Sequence, residues 1–589
     1  MEKKTKIKIS AKAITVIGYC LLAIGFTSCN DFLTIYPTDK TIGEDFWKSK
    51  EDVKNMVTGA YSAMTSEGIQ EKAIIWGSFR SDELVQHKDN TNSDLQNINA
   101  VNLLPTNGFN NWGDFYWVIN RCNIVLNHIG EVLETDPSFT QGDHDEARAQ
   151  MLALRSLCYF YLVRTFRDVP YTTQSYEDDD QEMLVPQSTP DSVLQFCIRD
   201  LEESERYIMK SGAYGEGNWR NKGYFTTDAV RALLADIYLW RGSMTHSAAD
   251  YQKCVEYADK VIQAKHDYYM TINAGRQMGI IEKDNYHLTD GQMIFQTIFE
   301  RGNAHESILE WQYNSNNTAL GKYYVRENDN KNVGILMASK IFTQYENTAN
   351  TEQGQVAFYT RNDYRFWTSV YDADNVEAID GLDIQKMVET NYPFFMNPAN
   401  INKLELQKRD NAQVTARNWI VYRLTDVMLM KAEALVQLAT EDPDDNTLEQ
   451  AFSLVQAVNK RAMYQAATDT LTFGTFKSKE QMEFLVLAER ERELCFEGKR
   501  WYDLMRYSYR HMDGVNIKSK LADQTEWPAL YKGMLSLIVR KYVNGGDAVS
   551  YKMKSEPYLY WPILEREVRV NRLLRQNPVF IQDESTSKN

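Results

Sequence analysis

The segment TDAVRALLADIYLWRG (residues 227–242), followed by ADYQKCVEYADKVIQ (residues 249–263), decides the fold. In the first, Val230, Leu233, Leu234, Ile237 and Tyr238 recur at three- and four-residue intervals. In the second, Cys254, Tyr257, Ala258 and Val261 do the same. That period lines each set along one face of an α-helix. Ala229, Ala232, Ala235 and Ala258 carry too little side chain to hold two helices apart, and Gly242 is expected at the turn between them. The pair reads as a helical hairpin that buries its apolar faces by stacking on others like itself.

The same pattern spreads outward from this pair. Residues 147–166 align Met151, Leu154, Cys158, Tyr161 and Leu162, and residues 190–208 align Val193, Phe196, Cys197 and Leu201. A further pair is expected over 420–439 and 447–463. The fold class is therefore mostly α, a tetratricopeptide-like scaffold of helical hairpins with large loop-rich insertions. From about 266 to 418 the period breaks into Asn-, Gly- and Tyr-rich sequence, and a shorter loop-rich part runs from about 65 to 111. Long irregular stretches in a folded chain usually carry function. The expected organisation is a leader at 1–28, a helical part at 29–265, a ligand-facing region at 266–418 and a C-terminal part at 419–589.

The leader has its own chemistry. Lys3, Lys4, Lys6, Lys8 and Lys12 precede an apolar run from Ala13 to Phe26, too short for a permanent membrane span, so it reads as a cleaved secretory signal. Phe26-Thr27-Ser28-Cys29 looks like a lipoprotein cleavage box with Cys29 as the acylated residue, although Phe26 stands where Leu, Val or Ile is usual. Cys20 competes poorly, because bulky Tyr19 precedes it. Several acyl chains on one cysteine give lasting attachment at about 0.8 kcal/mol per buried methylene.

Composition excludes several classes. A net charge of -16 argues against a nucleic-acid partner, which would need a basic stripe for its phosphates, and makes polyanionic ligands less expected unless a local basic pocket overrides it. Cys122, Cys158, Cys197, Cys254 and Cys495 are odd in number and widely spaced, so neither a disulfide framework nor a zinc site is expected. His305-Glu306 begins a zinc-protease motif, but Leu309 stands in place of the second histidine. Acidic runs such as Asp442–Asp445 lack the glycine and closing glutamate of a calcium loop and read as solvated. No cofactor is expected.

Glu489, Glu493 and Glu497 are the one tempting catalytic set, since paired carboxylates hydrolyse glycosides. Each has an arginine three positions away (Arg492, Arg490 and Arg500), and that spacing predicts ion pairs along one helix. Aromatic residues are the other clue. Trp47, Tyr61, Trp112, Tyr116, Trp501 and Trp561 are expected in the core. Those in irregular sequence are the ligand candidates: Trp367 first, then Tyr359 and Tyr324, with Tyr371, Trp76 and Trp219 behind, and Tyr323 a further possibility. Aromatic faces pack against the C–H faces of sugar rings.

Six segments resemble the SusD/RagB family. Cys29-Asn30-Asp31-Phe32-Leu33 resembles its mature N-terminus, and Asp45-Phe46-Trp47 through Gly59-Ala60-Tyr61 its first helix. Ala153-Leu154-Arg155-Ser156 through Phe166-Arg167-Asp168-Val169-Pro170 resembles the next, with Arg167 in place of a glycine, which predicts a less tight turn before Pro170. Tyr422-Arg423-Leu424 through Ala432-Glu433-Ala434-Leu435 follows, with Thr425-Asp426 for Ala-Glu. Glu489-Arg490 through Glu493-Leu494-Cys495-Phe496-Glu497-Gly498-Lys499-Arg500-Trp501-Tyr502-Asp503-Leu504, then Arg506, is the most specific match. Pro562-Ile563, Asn571 and Gln576-Asn577-Pro578 resemble the closing segment, from which Arg572 and Val579 depart.

The resemblance implies a lipid-anchored, outward-facing protein of the outer membrane and not an enzyme. It also implies a SusC-type TonB-dependent transporter as partner, to which an oligosaccharide is delivered. A peptide-binding uptake lipoprotein of the RagB kind and a helical-repeat assembly adaptor are the alternatives, because a fold alone does not fix function.

Overall fold

The computed structural model describes residues 46–581, apart from 179–180, 274–285, 314–318, 325–333, 344–358, 361, 372, 374–377, 379, 388–391, 395–404, 408–416 and 464–470. The leader and Cys29 lie outside the described residues.

Helices start where the sequence supplies a cap. Ser49 and Asp52 close a capping box on α1 (Lys50–Met64), which is followed by α2 (Glu67–Ile74) and α3 (Ser93–Asn99). After α4 (Gly113–Thr135), Thr140 and Asp143 box α5 (Gln141–Phe166). Thr189 caps α6 (Pro190–Tyr207), whose proline sits where no N–H is needed. Next come α7 (Thr227–Thr245) and α8 (Ala248–Ile272), the latter capped by Ser247. Further along the chain come α9 (Leu424–Leu438), α10 (Thr447–Ala462), α11 (Lys479–Leu494) boxed by Ser478 and Gln481, and α12 (Arg500–Arg510). Shorter helices follow at Lys532–Val539, Asp547–Lys552 and Glu565–Val570.

These helices stack in chain order. α1 packs on α4, α4 on α5, α5 on α6, α6 on α7, α7 on α8, α8 on α9, and α9 on α10 and α11. The fold is the expected helical-hairpin scaffold. α9 lies directly on α8 although residues 273–423 separate them. Strands Ser307–Trp311 and Trp419–Arg423 pair antiparallel at the base of this excursion.

Three boundaries differ from the sequence reading. α7 runs through Gly242, and His246, in the left-handed conformation, makes the turn. The segment expected as helix from 420 begins as the strand Trp419–Arg423, rich in β-branched and aromatic residues that suit a buried strand. The part read as loop from 65 to 111 contains α2, a π-helical turn at Ile75–Phe79, and α3. Their apolar stripes are too short for a periodic signal.

Arg167 adopts φ 66° and ψ -75°, and the Asp168 N–H donates to the Phe166 carbonyl at 2.9 Å. This is a strained three-residue γ-turn, so the turn is tight despite the missing glycine. The guanidinium is buried, pairs with Glu556 at 2.9 Å and Asp168 at 3.0 Å, and donates to the Asn516 and Ser519 carbonyls. Those bonds hold a conformation that costs about 1–3 kcal/mol.

The three glutamates also depart from expectation, because α11 ends at Leu494 and leaves Glu497 in the turn before α12 instead of on the same helix. Glu489 does pair with Arg492 at 2.7 Å, but Glu493 and Glu497 turn to distant partners. Glu493 takes Arg365 at 2.9 Å together with Arg423 and Arg461, and Glu497 takes Arg423 and Lys386, both at 2.8 Å. Arg490 pairs instead with Asp426 and Asp503, and Arg500 with Asp82 and Glu491. All of these groups are buried. Burial alone would raise the Glu493 carboxyl, but Arg461, Arg423 and Arg365 outweigh it and hold it well below the usual carboxylate range. The lattice joins α9, α10 and α11 to the excursion through Arg365 and Lys386.

Cys122, Cys158, Cys197, Cys254 and Cys495 are buried free thiols. Where they lie in helices they pack as small hydrophobes. Of the aromatics expected inside, Trp47, Tyr61, Trp112, Trp501 and Trp561 are buried and Tyr116 is half-buried.

Candidate functional site

Four of the proposed ligand aromatics have no free face. Trp76 is fully buried against Phe115 and Phe166, and its indole N–H donates to the Phe109 carbonyl at 2.8 Å. The Tyr324 hydroxyl donates to the Phe496 carbonyl, and that of Tyr359 to the Arg492 carbonyl. Trp367 lies buried with its ring edge-on to Phe366 at 4.8 Å. A buried ring cannot stack on a ligand, so these four expectations are corrected. Tyr323 is buried too. Tyr371 is half-buried two residues beyond the short helix Tyr364–Ser369, and its neighbour 372 lies outside the described residues.

Trp219 remains, with 43% of its surface exposed. It precedes a single helical turn, Arg220–Gly223, and is mounted on a ladder of rings. Its edge meets Tyr224 at 5.6 Å, and Tyr224 stacks on Tyr61 at 4.3 Å. Tyr61 is fixed in the core, donating its hydroxyl hydrogen to Gln150 and accepting from the Phe225 N–H at 3.0 Å. The Arg220 guanidinium lies 5.4 Å from the indole. Asn218 and Asn221 stitch the preceding loop, donating to the Tyr214 carbonyl at 3.0 Å and the Gly215 carbonyl at 2.7 Å.

Beside the indole lies a cluster of planar polar groups. A methyl group placed on Gly223 would meet both the Trp219 ring and the Gln312 side chain at 2.7 Å, so the two flank one bare stretch of backbone. Gln312 and Asn303 exchange amide hydrogen bonds of 3.0 and 3.1 Å. The Asn418 amide donates to Gln312 at 3.0 Å and to the Glu310 carboxylate at 2.8 Å. The pairing of Glu310–Trp311 with Trp419–Ile420 sets Gln312 and Asn418 side by side at the strand ends. Asn303 is exposed, while Gln312 and Asn418 are half-buried. Sequence reasoning missed all three amides: none has periodic spacing, and the strand pairing alone brings them together. The arrangement offers a flat apolar face bordered by donors and acceptors in fixed planes.

The scaffold, a stack of helical hairpins with one long looped excursion, has the fold of the SusD superfamily. A superfamily structure from Bacteroides thetaiotaomicron aligns with a TM-score of 0.60 at 22% identity, covering 91% of this chain and 99% of that one. One from Bacteroides vulgatus aligns at 0.63 with 16% identity, covering 91% and 100%. SusD-like protein P38 of Formosa agariphila is 24% identical over 548 residues, 89% of this chain and 97% of the relative. Residues 199–580 match the model of the SusD family, and residues 31–239 match one described as starch-binding and associating with the outer membrane. The chain belongs to the SusD family. Among the described residues no helix is long and apolar enough to cross a membrane.

Proposed function

We propose that this protein is a surface-exposed lipoprotein of the outer membrane that binds an oligosaccharide at the Trp219 face and delivers it to a SusC-type TonB-dependent transporter. The observation that carries this reading is the exposed indole beside Gln312, whose amide is joined by hydrogen bonds to Asn303 and Asn418. A sugar ring seats its C–H face on the indole while its hydroxyls exchange hydrogen bonds with the amides. The family description of starch binding supports the ligand class. Catalysis is not part of the proposal: Glu489, Glu493 and Glu497 are buried and paired with cations, whereas hydrolytic carboxylates face each other across a cleft.

Calorimetric titration with a panel of neutral oligosaccharides, starting from maltoheptaose, tests the site. Trp219→Ala is expected to lose about 1–3 kcal/mol of binding, roughly 5- to 150-fold in Kd, with an unchanged melting curve because the ring is half outside the core. Unchanged affinity for a bound sugar moves the site elsewhere, and affinity for peptides alone favours the RagB-type alternative.

The Cys29 anchor is motivated by the leader. Labelled palmitate is expected to enter the wild type and not Cys29→Ala, and wild type extracted in mild detergent is expected to bring a large β-barrel protein with it. Equal labelling of both proteins removes the anchor, and repeated recovery of the chain alone removes the transporter.

A further inference from the structure

A second cleft, sharing no residue with the Trp219 face, lies between the loop 101–105, the segment 551–554 with Tyr558, and the chain at 579–581. Its volume is about 350 Å³, within the range that holds a small ligand. We propose that this cleft is a separate saccharide site selective for sugar rings that bear an anion, either a carboxylate or a sulfate ester.

The charge of the lining carries the argument. In a protein of net charge -16, the residues around this cleft include Arg80, Lys552 and Lys554 and no aspartate or glutamate. Arg80 is nearly buried between the rings of Trp501, at 4.2 Å, and Trp561, at 5.9 Å. Its guanidinium donates to the Leu559 carbonyl at 2.7 Å and the Tyr558 carbonyl at 2.5 Å. None of these bonds goes to a carboxylate, and burial pushes Arg80 down to about 9. Lys552 donates to the Ala100 carbonyl at 3.0 Å, tying the two walls together, and Lys554 lies 4.9 Å from the Tyr551 ring centre. Among the described residues these three cations make no ion pair; Arg80 is the buried one, and other buried arginines, such as Arg167, Arg365, Arg423 and Arg500, do pair with carboxylates.

The walls also suit a sugar ring. Tyr551 is 73% exposed and Ile581 60% exposed, so the cleft presents an aromatic face and an apolar edge to solvent. Opposite stands Val101 at φ 53°, the residue after the C-cap of α3. Its N–H donates to the Ile98 carbonyl, and the Asn102 N–H to the Asn97 carbonyl at 2.8 Å. That double closure ordinarily has glycine at the left-handed position. A β-branched residue there is strained, and the two hydrogen bonds hold it in place with its isopropyl group on the cleft wall. Cations set among apolar surfaces fit a ring with C–H faces and one anionic substituent. A neutral sugar leaves the charges unmatched.

The test is calorimetric titration of the folded protein with three trisaccharides: galacturonic acid, a sulfated galactose and neutral galactose. At least one charged trisaccharide is expected to bind ten or more times tighter than the neutral one, with affinity falling as salt rises. The carboxylate and sulfate arms identify which anion is taken. Lys554→Gln and Tyr551→Ala, both at exposed positions, are each expected to weaken that binding about tenfold without moving the melting temperature, while Trp219→Ala leaves it intact. Equal binding of the neutral sugar, binding of neither charged sugar, or charged binding untouched by both cleft variants overturns the proposal. Loss of charged binding in Trp219→Ala alone assigns it to the other face and also overturns it.

Discussion

Glu493→Gln is expected to destabilise the protein by about 3–5 kcal/mol, the usual cost of removing one partner from a buried charge pair. The amide keeps the shape of the side chain but not its charge. Arg365, Arg423 and Arg461 converge on this carboxylate inside the core, where unbalanced cations are poorly solvated. Arg423 retains Glu497, and Arg365 retains Asp363 and Glu489, so the loss is that of one anion among several. In urea the midpoint is expected to fall with little change in slope. A midpoint within error of wild type would show that water reaches the lattice. Because Glu493 is only 2% exposed, any loss of binding in this variant is expected to track the loss of folded protein.

Gly77→Ala is expected to be at least as damaging. Gly77 lies in the π-helical turn Ile75–Phe79, and a methyl group there would collide with the carbonyl of Gly498. A methyl group on Gly498 would in turn fall 2.6 Å from the carbonyl of Ala73, with φ already at 69°. Both obstacles are backbone, which cannot swing aside as a flexible side chain does. Overpacking commonly costs about 1–3 kcal/mol, and a backbone clash exceeds that range. Circular dichroism during heating reads the result: Gly77→Ala is expected to melt far lower or to fail to fold, whereas Gly474→Ala, with open space around it, is expected to melt like wild type. Similar melting of the two variants would show that the turn relaxes.

The helices were legible because their signal is local. Leu233, Leu234 and Ile237 announce a buried face through spacing alone. Burial in irregular sequence is not local. Trp367 and Tyr359 lack helical spacing, yet each is enclosed by elements far away in the chain, so absence of period was a poor guide to exposure. The α11 charges failed for a related reason. Three-residue spacing correctly joined Glu489 to Arg492, but Glu493 found stronger company in arginines from other elements. The amides beside Trp219 were illegible because Gln312 and Asn418 stand 106 positions apart and meet through a strand pair that composition does not reveal.

That strand pair has a consequence for how such a chain can diversify. Ser307–Trp311 and Trp419–Arg423 hold the two feet of the excursion together. Between the feet the chain is fastened to the scaffold again where Leu336–Ala338 pairs with Leu84–Gln86, where Tyr324 and Tyr359 bond to the Phe496 and Arg492 carbonyls, and where Arg365 and Lys386 meet Glu489, Glu493 and Glu497. Closing a flexible loop costs entropy that grows with the logarithm of its length, about 0.6 kcal/mol for each doubling. The stretches between these anchor points can therefore lengthen, shorten or change at little thermodynamic expense, provided that the anchors themselves are kept. The stretches between anchors and the anchored frame are thus free to change at different rates within one polypeptide.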